Sequence, residues 1–530
     1  MSAYDVAIVG YGPGGQCLAA LLARSGHRVA TFERYPHLYN LPRAGHIDHE
    51  TMRLVQAVGG NAEAFARTLW EVRGDYVWLN AAGQVLMLQP ALEASEAVSG
   101  WWSDYTQWQP NLEAIFDDAA RTAGAEVFLG WQAVGIERVD GGARLTVART
   151  SLDARGRPGL TGESRMVEAR FVVGADGAGS FVRDALGIAR EDLGADQRWL
   201  DVDMRTLRAI DFNPNIGQMC DPARPRMLMP LGATHRRFEW MLLPQESIEE
   251  MERPEAAWAL LEEFGVTPET HEIARQIVYT FQARIAERWR EGNVLLSGDA
   301  AHTMPPFAGQ GLLSSLRDSS NLAWKLDLVL RGQASDSLLD TYESERRPDV
   351  LAWTAISLAE GRVSCELDPG RAAARDRRML SGEQPVPPEL PRLGPGVFQA
   401  EPDGFIGSLG LQARVAVPGT TGRFDDLLGA RRWVLITRGG SPADHLDTAC
   451  GRIISELDVI AVEVLPPGSA PRDGAIVDVD GRYGAWLEEH GVDAVMMRPD
   501  FAVFGAVRDL VGLPALVDSL DRRLSGVPVA

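Results

Sequence analysis

The chain has 530 residues, with 73 acidic against 52 basic side chains and a net charge of −21. That surplus excludes a protein that grips nucleic acid through a basic surface. Four dispersed cysteines (Cys17, Cys220, Cys365 and Cys450) exclude a local zinc site or C-x-x-C redox pair, and no apolar run reaches the ~20 residues of a membrane span.

Cysteine usage and a first strand that begins almost at the N-terminus lead to the expectation of a reducing, cytoplasmic setting without a signal peptide. That strand, Tyr4 to Val9, is apolar and β-branched. Gly10, Gly12 and Gly15 follow in a G-x-G-x-x-G pattern, with Gly14 inside it, and residues 16–25 have helical spacing. Strand, tight turn and helix start are the context of a dinucleotide fingerprint. The first glycine allows the turn, the second lets backbone approach a pyrophosphate, and the third lets helix pack on strand. The N–H groups at the helix start favour negative charge. A second strand, Arg28 to Phe32, is closed by Glu33, where an acid meets the ribose hydroxyls of an adenine nucleotide.

Residues 34–47 form a loop rich in Pro, His and Tyr, and Asp48 is placed to cap a helix running to Val58. Residues 70–108 concentrate Trp70, Tyr76, Trp78, Trp101, Trp102, Tyr105 and Trp108. These read either as core and sheet packing or as a flat pocket for a flat substrate. A helix from Gln109 to Ala123 and a strand over 125–128 follow. Residues 165–173 form a strand running into Asp176-Gly177, with Arg183 beyond. Residues 196–285 alternate as antiparallel strands do, which predicts a separate substrate layer. A buried strand over 293–297 ends in Gly298-Asp299, and His302, Pro305-Pro306 and Gly309-Gln310-Gly311 precede a long helix over 312–330. Residues 383–399 are rich in Pro and Gly and read as a linker. Residues 400–530 alternate strands and helices as a small α/β unit.

The G-x-G-x-x-G, Asp176-Gly177 and Gly298-Asp299 segments together resemble the class A flavoprotein monooxygenases, the single-component FAD aromatic hydroxylases, over residues 4–365. Pro42-Arg43-Ala44, Ile47-Asp48, Arg198-Trp199-Leu200, Cys220 to Pro225 and Asn321 to Leu326 are similar to the 3-(3-hydroxyphenyl)propionate hydroxylase branch. The resemblance implies an α/β fold in which a Rossmann-like FAD-binding domain (1–195 and 286–382) is interleaved with a mixed-sheet substrate domain (196–285). A C-terminal thioredoxin-like α/β domain without C-x-x-C (400–530) would follow, for packing or a homodimer contact. It implies FAD as cofactor, NAD(P)H as co-substrate, and a small aromatic substrate hydroxylated with O2 through a flavin C4a-hydroperoxide. That substrate would be a phenol, such as a 3-hydroxyphenylpropionate-like acid. One alternative keeps the fold and oxidises a larger polyketide-like aromatic by hydroxylation, epoxidation or Baeyer–Villiger chemistry. A non-enzymatic FAD-fold binding module is the other.

Residue by residue, the resemblance implies that Gly10, Gly12, Gly14 and Gly15 cradle the cofactor and that Glu33 holds its ribose, with Arg34 alongside. Arg43 and Gln109 would reach the pyrophosphate and ribityl region, and Val134 would meet adenine through its backbone. Asp176 and Arg183 belong to a segment linked to FAD and pyridine nucleotide. Asp299 would bond the ribityl chain. Pro306, Gly309, Gly311, Leu312 and Leu313 would present the turn and helix start to the flavin pyrimidine, where a helix N-terminus stabilises reduced flavin. Relatives carry polar residues where this chain has Leu313. A base near the phenol would help by ~10²–10⁴-fold, and the candidates are His46, Asp48 and His49; the other reading of Asp48 is a helix cap. An arginine among Arg224, Arg226, Arg236 and Arg237 would meet a substrate carboxylate.

Overall fold

A computed structural model describes residues 4–89, 97–154, 156–383 and 391–526. Part of the expected linker, 384–390, lies outside the described residues. The strand Tyr4–Val9 lies at the centre of an eight-stranded sheet, parallel to Val29–Glu33 on one side and to the end of Pro158–Gly174 on the other. Its Val6, Ala7 and Ile8 are fully buried, the branched Val6 and Ile8 contributing ~1.5–3 kcal/mol each. Val9 is in register with Phe32 and with Gly174. The glycine turn after Val9 therefore abuts the Asp176 segment after Gly174.

Helix Pro13–Arg24 starts with proline in its first turn and is buried along almost its whole length. It packs between helices Gln109–Thr122 and Gly311–Leu330. Val294–Leu296 extends the same sheet parallel to Pro158–Gly174, which brings the Gly298-Asp299 turn to the same edge.

The second sheet has seven strands, ordered His271–Thr280, Arg198–Thr206, His235–Met241, Arg226–Leu231, Gly217–Cys220, Val77–Asn80 and Val85–Leu88. Its first five strands pair antiparallel, with one inner core of residues such as Leu200, Val202, Phe238 and Trp240. The last two strands come from residues 77–88, far earlier in the chain, and Gly217–Cys220 runs parallel to Val77–Asn80.

The C-terminal unit is a seven-stranded mixed sheet flanked by helices Thr448–Glu456, Arg482–Glu489 and Leu513–Leu524. Buried charge joins it to the rest. Arg53 pairs with Asp425 at 2.6 Å. Glu345, on helix Asp340–Ser364, takes Lys325 at 2.9 Å and Arg498 at 2.8 Å, and Arg498 also holds Asp500. Removing one member of such a cluster strands a buried charge. Among the described residues no helix is long and apolar enough to cross a membrane.

Candidate active site

The glycine turn divides by what each residue faces. Gly10 has φ +97°, and a Cβ there would sit 2.3 Å from the Ala175 carbonyl oxygen. A Cβ on Gly15 would be equally close to the Gly10 carbonyl oxygen, and one on Gly14 would lie 2.2 Å from Ser315 Oγ. The backbone contacts make the fold itself demand Gly10 and Gly15, whereas at Gly14 a turn of the Ser315 hydroxyl would relieve the contact. Gly12 has φ −75° and a Cβ there would meet no protein atom within 4 Å. The protein itself makes no demand for glycine there, and the backbone is left open as expected where it approaches a pyrophosphate.

Two openings meet at this turn. A cleft of about 190 Å³ runs past Glu33, Arg34, Trp131 and Asp176, and a cavity of about 780 Å³ runs past Asp299, Pro306 and Gly309–Leu312. Gly12, Pro13, Arg43, Gln109, Ala175 and Gly177 line both, so the nucleotide fingerprint and the Gly298-Asp299 turn border one continuous trench.

Along the cleft, Glu33 steadies the turn by accepting from the Tyr11 and Tyr35 N–H groups, both at 3.0 Å. Gln109 is a positioning group: its Oε1 accepts from the N–H of Arg43 at 2.9 Å and of Ala44 at 2.7 Å, and its Nε2 donates to Glu113. Arg43 thus stands at the junction without a carboxylate partner among the described residues, stacked over the Tyr39 ring at 4.5 Å. Val134 is the extra residue of a bulge between Ala133 and Gly135 with its side chain exposed, and Trp131, Gln132 and Ala133 line the cleft beside it.

The second and third motifs are tied together by Arg183, which is buried and donates to the carbonyls of Ala178 and Ala300 at 3.1 and 3.2 Å. Asp176 lines the cleft, while its carboxylate accepts from Ser180 Oγ and the Val182 N–H. His302 is structural: it bonds Asp318 at 2.7 Å, and Asp318 in turn accepts from the Gly298 N–H and Arg346. Asp299 projects from the turn so held into the cavity, with no bond to its carboxylate among the described residues. Surrounding protein raises its pKa, burial outweighing the His302 and Arg43 charges.

Helix Gly311–Leu330 begins at the cavity without a side-chain cap, so its first N–H groups and positive dipole end face the space. Gly311 and Leu312 line it; Leu313 does not, because its side chain is buried in the core. These features fit FAD. Gly12 leaves backbone open, Arg43 offers an unneutralised cation at the pyrophosphate position, and Asp299 and the helix start offer an acceptor and donors to the ribityl chain and ring.

Of the three candidate bases His46, Asp48 and His49, only His46 lines the cavity. Its Nε2 is 3.0 Å from Asp104 Oδ1 and its Nδ1 is 3.4 Å from the Gly309 carbonyl oxygen. Although burial opposes it, Asp104 raises the imidazole pKa. With both nitrogens engaged, His46 positions the Gly309 turn. Asp48 is a correction. It caps helix His49–Ala57 by accepting from the Thr51 N–H at 2.9 Å and pairs with Arg317 at 2.6 Å. It lies outside the cavity lining, and Arg317 leads the charges that hold its pKa low against burial.

Besides Asp104, two carboxylates without an expected role line the cavity, together with Tyr76 of the aromatic cluster. Glu239, from the second sheet, lies 3.5 Å from Arg237 Nη1, and burial pushes its pKa up to about 7. Glu360, from helix Asp340–Ser364, has no bond or ion pair among the described residues, and burial pushes it up to about 7 as well. The Tyr76 hydroxyl accepts from Gln218 Nε2 at 3.1 Å. Tyr76 and Trp78 are the two of the seven clustered aromatics that line the cavity, while Trp101 and Tyr105 are core. Helical spacing from Trp353 to Glu360 was the one available signal for Glu360. The arginines offered for a substrate carboxylate are all engaged: Arg224 with Glu246, Arg226 with Asp221, Arg236 with Asn215 and Arg237 with Asp203.

An FAD binding domain family model matches residues 3–357, and an HcaD C-terminal domain model matches 407–523. A probable NADH-specific resorcinol 4-hydroxylase of Rhodococcus jostii (strain RHA1) is 36% identical over 99% of this chain and 96% of its own length. A 3-(3-hydroxy-phenyl)propionate/3-hydroxycinnamic acid hydroxylase of Escherichia coli (strain K12) is 30% identical over 96% of this chain and 93% of its own. Among solved structures, aklavinone-11 hydroxylase in complex with FAD and aklavinone superposes with a TM-score of 0.74 at 26% identity, covering 99% of each chain. The flavin-dependent monooxygenase PieE superposes at 0.77 with 22% identity, covering 98% of this chain and 99% of its own.

Proposed function

Since this chain belongs to the family of FAD-dependent aromatic monooxygenases, we propose that its substrate is an uncharged phenol of the resorcinol type, hydroxylated with NADH and O2. When bound, FAD supplies the redox chemistry, passing electrons from the nicotinamide to O2 and one oxygen atom to the ring. The chain's own residues do the rest. Gly12, Arg43 and the start of helix Gly311–Leu330 hold and orient the cofactor. Trp78, Met227, Met229 and Phe307 give the cavity a water-excluding wall.

The observation that carries the substrate reading is the charge of that wall. Its arginine from the substrate sheet, Arg237, is locked by Asp203 at 2.7 Å and by the Arg43 carbonyl at 2.8 Å. Arg43 is the other lining arginine and stands at the cofactor junction. Among the described residues, a substrate carboxylate would find no free cation beyond that junction and would face Glu239 and Glu360. A neutral diphenol instead gives its hydroxyls to carboxylate and tyrosine oxygens.

NADH oxidation coupled to product mass would test this with resorcinol against 3-(3-hydroxyphenyl)propionate. At least ~10-fold higher kcat/KM for resorcinol is expected, the ~1.4 kcal/mol of one unfavourable charge contact. A preference for the acid would overturn the reading.

A further inference from the structure

We infer that Glu360 is the catalytic residue that takes the phenolic proton of the substrate. This rests on the chain being a phenol hydroxylase. Helix Asp340–Ser364 forms one wall of the cavity, and Trp353 and Glu360, about two turns apart, both face it. The helix is pinned to the Pro305–Gly311 turn at the level of Glu360. Ser357 Oγ donates to the Pro305 carbonyl at 2.6 Å and accepts from the Ala308 N–H at 3.3 Å. Gly361 admits the Phe307 ring, which a Cβ there would meet at 2.7 Å. Glu360 is thereby fixed beside the turn that borders the flavin position, with its oxygens uncommitted among the described residues.

The other carboxylates on the cavity wall are engaged or assigned. Asp104 pairs with His46, Glu239 neighbours Arg237, and Asp299 belongs to the ribityl position. The charged and titratable groups that line the cavity with Glu360 are His46, Asp104, Tyr76, Glu239, Asp299, Arg43 and Arg237. Of these, His46 favours the carboxylate form, against the larger effect of burial. A base titrating near neutrality suits a phenol, whose proton leaves water near pH ~10.

In the step, the substrate O–H bond breaks and its proton bonds to a Glu360 oxygen. The electron pair stays on the phenolic oxygen and raises electron density at the ortho and para carbons. Glu360 becomes a neutral acid and returns the proton to solvent before the next turnover.

The test uses FAD-loaded wild type, E360Q and E239Q with resorcinol as probe, following hydroxylated product and NADH from pH 5.5 to 9. Wild-type hydroxylation should rise through an ionisation near pH 7. E360Q should lose that limb, fall ~10²–10⁴-fold at pH 7.5, and regain rate as the phenol ionises by itself. Resorcinol binding, read from flavin absorbance, should move less than about threefold, and E239Q should keep the limb. A limb kept in E360Q, or lost in E239Q instead, overturns the assignment. Should E360Q fail to load FAD, E360D decides: a limb moved to lower pH supports the role and an unmoved one overturns it. Wild type that hydroxylates phenols without dependence on Glu360 overturns this assignment alone, whereas wild type that hydroxylates no phenol overturns the functional reading with it.

Discussion

Arg317 Nη2 donates to Asp48 Oδ2 at 2.6 Å, while Oδ1 of the same carboxylate accepts from the Thr51 N–H at 2.9 Å. Both oxygens are occupied within the protein, so Asp48 holds a helix start against helix Gly311–Leu330. D48N should lower stability by about 1–3 kcal/mol in urea unfolding. Hydroxylation per bound flavin should stay within about threefold of wild type. Large loss of hydroxylation at unchanged stability would return Asp48 to the chemistry.

Gly12 and Gly10 should separate under the same substitution. G12A meets no protein atom, so the apoprotein should melt as wild type does while FAD affinity falls by at least ~10-fold, the equivalent of ~1.4 kcal/mol. G10A combines φ +97° with a 2.3 Å approach to Ala175 and should unfold the apoprotein at lower temperature. Thermal melting and FAD titration by flavin fluorescence read the two effects apart.

Glu360 also has a signature in stability. Its pKa is raised from 4.5 to about 7, so between those values the folded state holds a proton that the unfolded state has lost. Stability therefore falls as pH rises through that window, and the full cost is present above it. E360Q should raise the melting midpoint at pH 8, by the equivalent of about 1–2 kcal/mol after allowance for cavity solvation, and leave it unchanged at pH 4. An equal rise at both pH values would contradict the buried carboxylate.

Asp500 behaves in the opposite sense. Arg498 leads the charges that pull its carboxyl from 3.8 to about 2 against burial. Its stabilisation is complete above the unfolded value and is lost as pH falls through about 2. D500N should therefore be less stable than wild type by about 2 kcal/mol at pH 6, and the gap should close in acid. Urea midpoints at pH 6 and pH 2.5 supply the comparison.

What could be read from the residues was what neighbours in the chain dictate. Gly10, Gly12 and Gly15 carry their turn within six positions, and Gly298-Asp299 follows directly from its strand. Glu239 and Glu360 were not legible, because a sheet register and a helix packing from different parts of the chain bring them to one cavity. Asp48 carried two readings that local sequence cannot separate; the deciding partner, Arg317, is 269 positions away. Val134 rested on the family resemblance alone, and alternation along a strand does not reveal the bulge it occupies.

Glu345 and Glu360 share one helix, and the first is clamped by Arg498 of the distal unit. Turning that helix by a single residue would swing its side chains ~100° about the axis, enough to aim position 360 away from the cavity it lines. The guanidinium inserted from the far end of the chain thus shares with Ser357 and Arg346 the fixing of that wall's azimuth, and trimming the chain before that insertion should blunt the enzyme without touching a residue of its pocket.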